Sequence, residues 1–190
     1  MTNSLSPAPR RLVGRLSIFA GNALQLTGIA AASLFLAAAR TAQSKPEAAL
    51  AMIAAWVLLY FFCHGIAHWA VGRLVGIRFA FYTIGGTGNP EAYPPGLRWV
   101  FEHLPFFGVQ TEKASMMAAN PMAKAVMWSA GVTSSAVVPT LSAICARQAG
   151  VAGSKAFLIF AVVWALATLA SNWTSRTGDY SKARRALGRQ

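Results

Sequence analysis

FFCHGIAHWAVGRL, residues 61–74, is the stretch on which the reading of the whole chain turns. His64 and His68 stand four apart inside an apolar run. Four residues is just over one helical turn, so a helix here sets both imidazoles on one face. Ionisable side chains inside an apolar span are costly and are usually paired or functional. Two imidazoles aimed at one point are the helical half of many zinc sites. The neighbour of His64 is Gly65, which brings no side chain and costs a helix roughly 1 kcal/mol relative to alanine.

The run lies within residues 47–73, long enough to cross ~30 Å of hydrocarbon at ~1.5 Å per residue. Comparable apolar stretches lie at 17–39, 122–146 and 156–173. The chain has 190 residues, of which 55% are hydrophobic and 12% charged. Soluble domains carry about 25% charged residues. These features predict an all-α polytopic membrane protein with about four transmembrane helices. The transmembrane domain is expected over 17–185, between a flexible basic tail at 1–16 and a short C-terminal tail at 186–190. A signal peptide is the rival reading of the first stretch, whose apolar part is too long for one. The two cysteines, Cys63 and Cys145, both fall in expected spans and form no disulfide framework. Cys63 adjoins His64, where it reads as a small packing residue or, alternatively, as a metal ligand.

The net charge of +12 resembles a nucleic-acid signal until the charges are placed. Thirteen of the seventeen basic residues fall before the first span, between the second and third, or after the fourth. Arg40, Lys45, Arg147 and Lys155 occupy the other two connections. The positive-inside rule then puts both termini and the long middle segment in the cytoplasm, with the chain integral to an inner (cytoplasmic) membrane. Attraction to anionic lipid accounts for the rest of the excess, and no nucleic-acid partner is needed.

The middle segment is expected to hold a small β-hairpin and an interfacial element. GIRFAFYTIGG, 76–86, mixes β-branched and aromatic residues before a glycine pair and reads as a strand or hairpin. GTGNPEAYPPG follows, rich in turn formers. LRWVFEHLPFF, 97–107, suits a helix or loop at the membrane surface. An edge strand in this segment could also pair with an extended peptide. Further on, Gly131, Thr133, Ser134 and Ser135 predict close helix packing in the third span, and Pro139 a possible kink.

Asp179 is the only aspartate and follows the fourth span almost at once. In the topology above it emerges on the same side as the two histidines. His64, His68 and Asp179 are therefore candidate metal ligands, a set that leaves a fourth position open and suits zinc. The alternative is a solvated carboxylate offsetting Arg176, Lys182 and Arg184.

CHGIAHWAVGRLVGIRF resembles the metal-binding helix of the site-2 protease family, intramembrane zinc metallopeptidases whose helix reads His-Glu-x-x-His. The likeness extends over roughly 50–185, through the strand-forming loop, ANPMAK with Ala130-Gly131, and the terminal aspartate. It implies Zn2+ held by His64, His68 and Asp179, hydrolysis of peptide bonds in or near a membrane, and a membrane protein or peptide as substrate or client. Two departures stand out. Ser175 occupies the place of a proline in the family's Asn-x-x-Pro motif, and the spacing from Asn172 to Asp179 is one residue short. Gly65 occupies the place of the glutamate that takes a proton from water. Glu47, Glu91, Glu102 and Glu112 are the remaining acids from which a replacement base could come, and no catalytic residue is assigned. The expected function is thus that of a membrane-embedded zinc metalloprotease-like protein that hydrolyses or binds peptide segments at the membrane; the alternatives are a pseudoprotease that binds membrane clients, a metal-handling or transport protein, and a structural membrane subunit.

Overall fold

The computed structural model describes residues 12–86 and 96–188. Four long helices dominate it: α1 (Ile18–Thr41), α2 (Lys45–Leu74), α5 (Pro121–Gln148) and α6 (Ser154–Thr174). Each is long and apolar enough to cross a membrane. Between α2 and α5 lie β2 (Phe79–Gly85), α3 (Leu97–His103), β3 (Phe106–Thr111) and α4 (Lys113–Ala118). A strand β1 (Leu12–Leu16) precedes α1, and α7 (Asp179–Ala186) follows α6.

Local sequence sets where the long helices begin. Ser17 caps α1 by accepting from the Ala20 N–H at 3.1 Å. Ser44 and Glu47 form a reciprocal capping box on α2, with Pro46 in its first turn. Asn120 accepts from the Ala123 N–H at 2.8 Å and Pro121 opens α5. The helix α5 then continues through the buried Pro139 to Gln148.

Packing is arranged around α2 and α5. About 44% of the apolar window of α5 is buried but only 11% of that of α6, so α5 lies inside the bundle and α6 at its rim. Met52 and Trp56 of α2, Ala143 and Ala146 of α5, and Phe157 and Ala161 of α6 make one core. Trp56 stacks on Tyr60 at 5.3 Å and meets Trp164 edge-on at 5.5 Å. Gly28 lets α1 close onto α2, because a Cβ there would lie 2.4 Å from the Phe62 ring. Phe19, Leu34, Leu50, Val163 and Leu166 project outward and are exposed, as apolar side chains facing lipid would be.

The middle segment folds as more than a hairpin. β2 pairs antiparallel with β3 on one side and with β1 on the other, giving a three-stranded sheet in the order β1-β2-β3. The expectation of a flexible tail at 1–16 therefore needs revision at Leu12–Leu16. Residues 1–11 lie outside the described part. β1 is mostly exposed and lacks a clean apolar alternation. Its ladder to β2, with Arg15 opposite Thr83 and Leu16 opposite Tyr82, orders it, and the Arg15 guanidinium sits 4.7 Å over the Phe81 ring. The sheet lies against the end of the bundle that carries the histidines. Phe106 and Phe107 of β3 pack at a tilt on Phe61 and Phe62 of α2, with ring centroids 5.1 and 5.5 Å apart. Tyr82 of β2 is fully buried against Gly21, where any Cβ would strike its ring at 2.2 Å.

Candidate metal centre

His64 and His68 project from α2 toward α5, and Asp179 opens α7 directly opposite. One ligand atom from each lies within 4.8 Å of the others. Asp179 Oδ2 is 3.3 Å from His64 Nε2 and 3.2 Å from His68 Nε2. The His68 side chain is 6% exposed, Asp179 13% and His64 33%, so the cluster opens to one side only, past His64.

The other ring nitrogens define how the imidazoles are protonated. His68 Nδ1 lies 2.7 Å from the Met127 carbonyl oxygen, which can only accept, so Nδ1 carries the hydrogen. Ser135 Oγ donates to the Tyr60 carbonyl at 3.1 Å and so is left to accept from His64 Nδ1, also at 3.1 Å. Each imidazole then turns its Nε2 toward Asp179 Oδ2. With Nε2 unprotonated on both rings, three lone pairs would converge, and a cation at their focus would satisfy all three. Holding Nδ1–H on a carbonyl or hydroxyl is how metal-binding histidines are usually oriented. The donor set, two imidazoles and a carboxylate, therefore fits a divalent transition metal.

Each ligand is held by glycine or polar contacts that sequence reading missed. Gly131 of α5 lets His68 lie flat on the helix: a Cβ there would stand 2.1 Å from His68 Nε2. Ser134 and Ser135, expected only to pack closely, also bond across to α2, through the carbonyls of Cys63 and Tyr60, both at 3.1 Å. Asn172 Oδ1 accepts from the Asp179 N–H at 2.8 Å. Gly178 makes that turn possible, since a Cβ would come within 2.6 Å of the Asn172 carbonyl.

Cys63, the alternative ligand, is buried and is not among the clustered residues. The described glutamates are all engaged elsewhere. Glu47 caps α2, Glu102 pairs with Arg98 at 3.1 Å, and Glu112 pairs with Arg78 at 2.9 Å. Glu91 lies outside the described residues. At Gly65 the space that a side chain would enter is filled by Gln25 of α1 and by Tyr82 of β2. A Cβ there would lie 2.7 Å from Gln25 Oε1 and 3.3 Å from the Tyr82 ring. Gln25 is fully buried, its amide donates to the Gly21 carbonyl at 3.1 Å, and Oε1 has no hydrogen-bond partner among the described residues.

A cavity of about 60 Å³ adjoins His64 between Tyr60, Phe106, Phe107 and Ser135. It has room for a few water molecules and not for a peptide side chain of any size. Strand β3, at the sheet edge, supplies one wall. Compared with protein-family models, with curated proteins and with solved structures, the chain matches none.

Proposed function

We propose that this chain is a membrane-embedded zinc-binding protein of the site-2 protease type, which holds peptide segments of membrane clients without cutting them. The convergence of His64 Nε2, His68 Nε2 and Asp179 Oδ2, with both Nδ1–H groups bonded elsewhere, carries the metal-binding part of this reading. Zinc held by these three residues would supply a Lewis acid able to polarise a carbonyl and to acidify water. His68 is locked by Met127 and Gly131, His64 is oriented by Ser135, and Asp179 is fixed by Asn172. The orientation fits the same scheme: both termini and the metal centre on the cytoplasmic side of an inner membrane, with the sheet at that surface.

The non-cutting part rests on Gly65. Peptide hydrolysis at such a centre needs a group that takes a proton from water, and loss of one typically forfeits ~10²–10⁴ in rate. Gly65 has no side chain, and Gln25, the polar group that fills its place, has an amide that does not accept a proton near neutral pH. No described glutamate approaches. An extended client segment would add to the sheet along β3, the last strand in its order, beside the cavity.

The test is reconstitution of the zinc-loaded protein in liposomes with a helical transmembrane peptide carrying a donor and acceptor fluorophore at its ends. Capture of intact peptide, lost in the His64→Ala/His68→Ala variant, is the expected outcome. Accumulating cleavage fragments, seen by mass spectrometry, would instead establish a hydrolase.

A further inference from the structure

Lys182 stands one turn beyond Asp179 on α7 and touches the metal centre from the side opposite the histidines. Its Nζ lies 3.0 Å from Asp179 Oδ1, whereas both imidazoles face Oδ2. The two carboxylate oxygens are thus divided, one toward the histidines and one toward an ammonium group. Lys182 is itself seated, with Nζ 4.5 Å over the Trp128 ring. Trp128 in turn meets the His68 ring edge-on at 5.8 Å. Cation–π attraction and a charge-assisted hydrogen bond together keep the ammonium on Oδ1. At 36% side-chain exposure Lys182 could reach solvent, yet it bends back to the carboxylate.

We infer that Lys182 is a positioning residue that restricts Asp179 to a single metal-facing oxygen. A carboxylate free at both oxygens can bind a metal through either or both. With Oδ1 held by Lys182, Asp179 would offer a metal Oδ2 alone, and His64, His68 and Asp179 would supply three protein donors. Without the ammonium, Oδ1 would be free to serve as a second ligand atom from Asp179. Lys182 would therefore set the coordination number of the centre, and with it the access of a client carbonyl. This inference rests on the metal-binding reading above.

Cobalt(II) is the probe, because four-coordinate cobalt absorbs much more strongly in the visible than five- or six-coordinate cobalt. The detergent-purified full chain is stripped of metal, loaded with cobalt(II), and compared with Lys182→Met and Lys182→Arg. Far-UV circular dichroism confirms that each is folded. The expected result is an intense spectrum for wild type, loss of most of that intensity in Lys182→Met at unchanged cobalt stoichiometry, and recovery in Lys182→Arg, which restores a cationic donor that stacks on Trp128. A folded Lys182→Met variant with the wild-type spectrum, or one that binds no cobalt, overturns the inference and leaves the metal centre standing. Failure of wild type itself to bind cobalt would remove the metal-binding reading instead.

Discussion

Gly131→Ala is the substitution that separates the metal centre from general packing most cleanly. The new methyl would lie 2.1 Å from His68 Nε2, 2.5 Å from Cδ2 and 2.7 Å from Cε1. Carbon and nitrogen atoms in contact prefer roughly 3.5 Å, so the ring must move by more than ~1 Å. Metal–ligand distances tolerate only ~0.2 Å. His68 is also tied to Met127 at 2.7 Å, and it cannot move without straining that bond. Displacing a ligand or its support typically lowers metal affinity ~10–100-fold, and overpacking costs ~1–3 kcal/mol of stability. The control is Gly28→Ala, whose methyl would lie 2.4 Å from the Phe62 ring in the α1–α2 contact and away from the ligands. Zinc affinity is read by competition with a chromophoric chelator in detergent, and stability by thermal melting of the metal-free protein. Both variants should melt early, and Gly131→Ala alone should lose zinc affinity by at least ~10-fold. Affinity for Gly131→Ala within about threefold of wild type would refute the placement of His68 as a ligand.

Three other outcomes are expected. Asn172→Ala removes the acceptor of the Asp179 N–H, and in the same chelator titration zinc should bind on the order of 10-fold more weakly. Burial pushes the Tyr82 hydroxyl up to about 12, with Gln25 pulling the other way. Because this folded value lies above the ordinary ~10, the associated stability is complete below pH ~10 and is lost as pH rises through the folded value. Stability measured across that alkaline range should fall in wild type and fall less steeply in Tyr82→Phe. Finally, Gly65→Glu forces Gln25 Oε1 aside and should lower the melting temperature, whereas Gly65→Glu with Gln25→Ala should recover part of the loss by opening the space. Equal melting of the two would show that Gln25 does not occupy the place of a side chain at 65.

Much of this architecture is legible in the sequence, because long apolar runs between basic connections report on helices directly. The helix starts at Ser44-Lys45-Pro46-Glu47 and Asn120-Pro121 are equally visible, since capping is a local interaction. The approach of His64 to His68 follows from helical period. That Asp179 meets them follows from span count and charge bias, which bring distant segments to one end of the bundle. Strand β1 is not legible: five mostly exposed residues are ordered by pairing with a strand more than sixty positions away, and nothing local marks them. The supports of the centre are hidden for the same reason. Ser135, the Met127 carbonyl and Gly131 gain their roles only where α5 crosses α2. Gln25 is the sharpest case. A glutamine in an apolar helix looks like a defect of the span, and only the packing of α1 on α2 reveals it over Gly65.

The metal content of the purified chain tests the central claim most directly. Elemental mass spectrometry of the detergent-solubilised protein, beside its His64→Ala/His68→Ala variant, should find about one zinc per wild-type chain and none in the variant. Wild-type protein that stays metal-free after incubation with zinc, or a variant that binds as much, would contradict it. The convergence of His64, His68 and Asp179 would then be a protonated hydrogen-bond network joining α2 to α7.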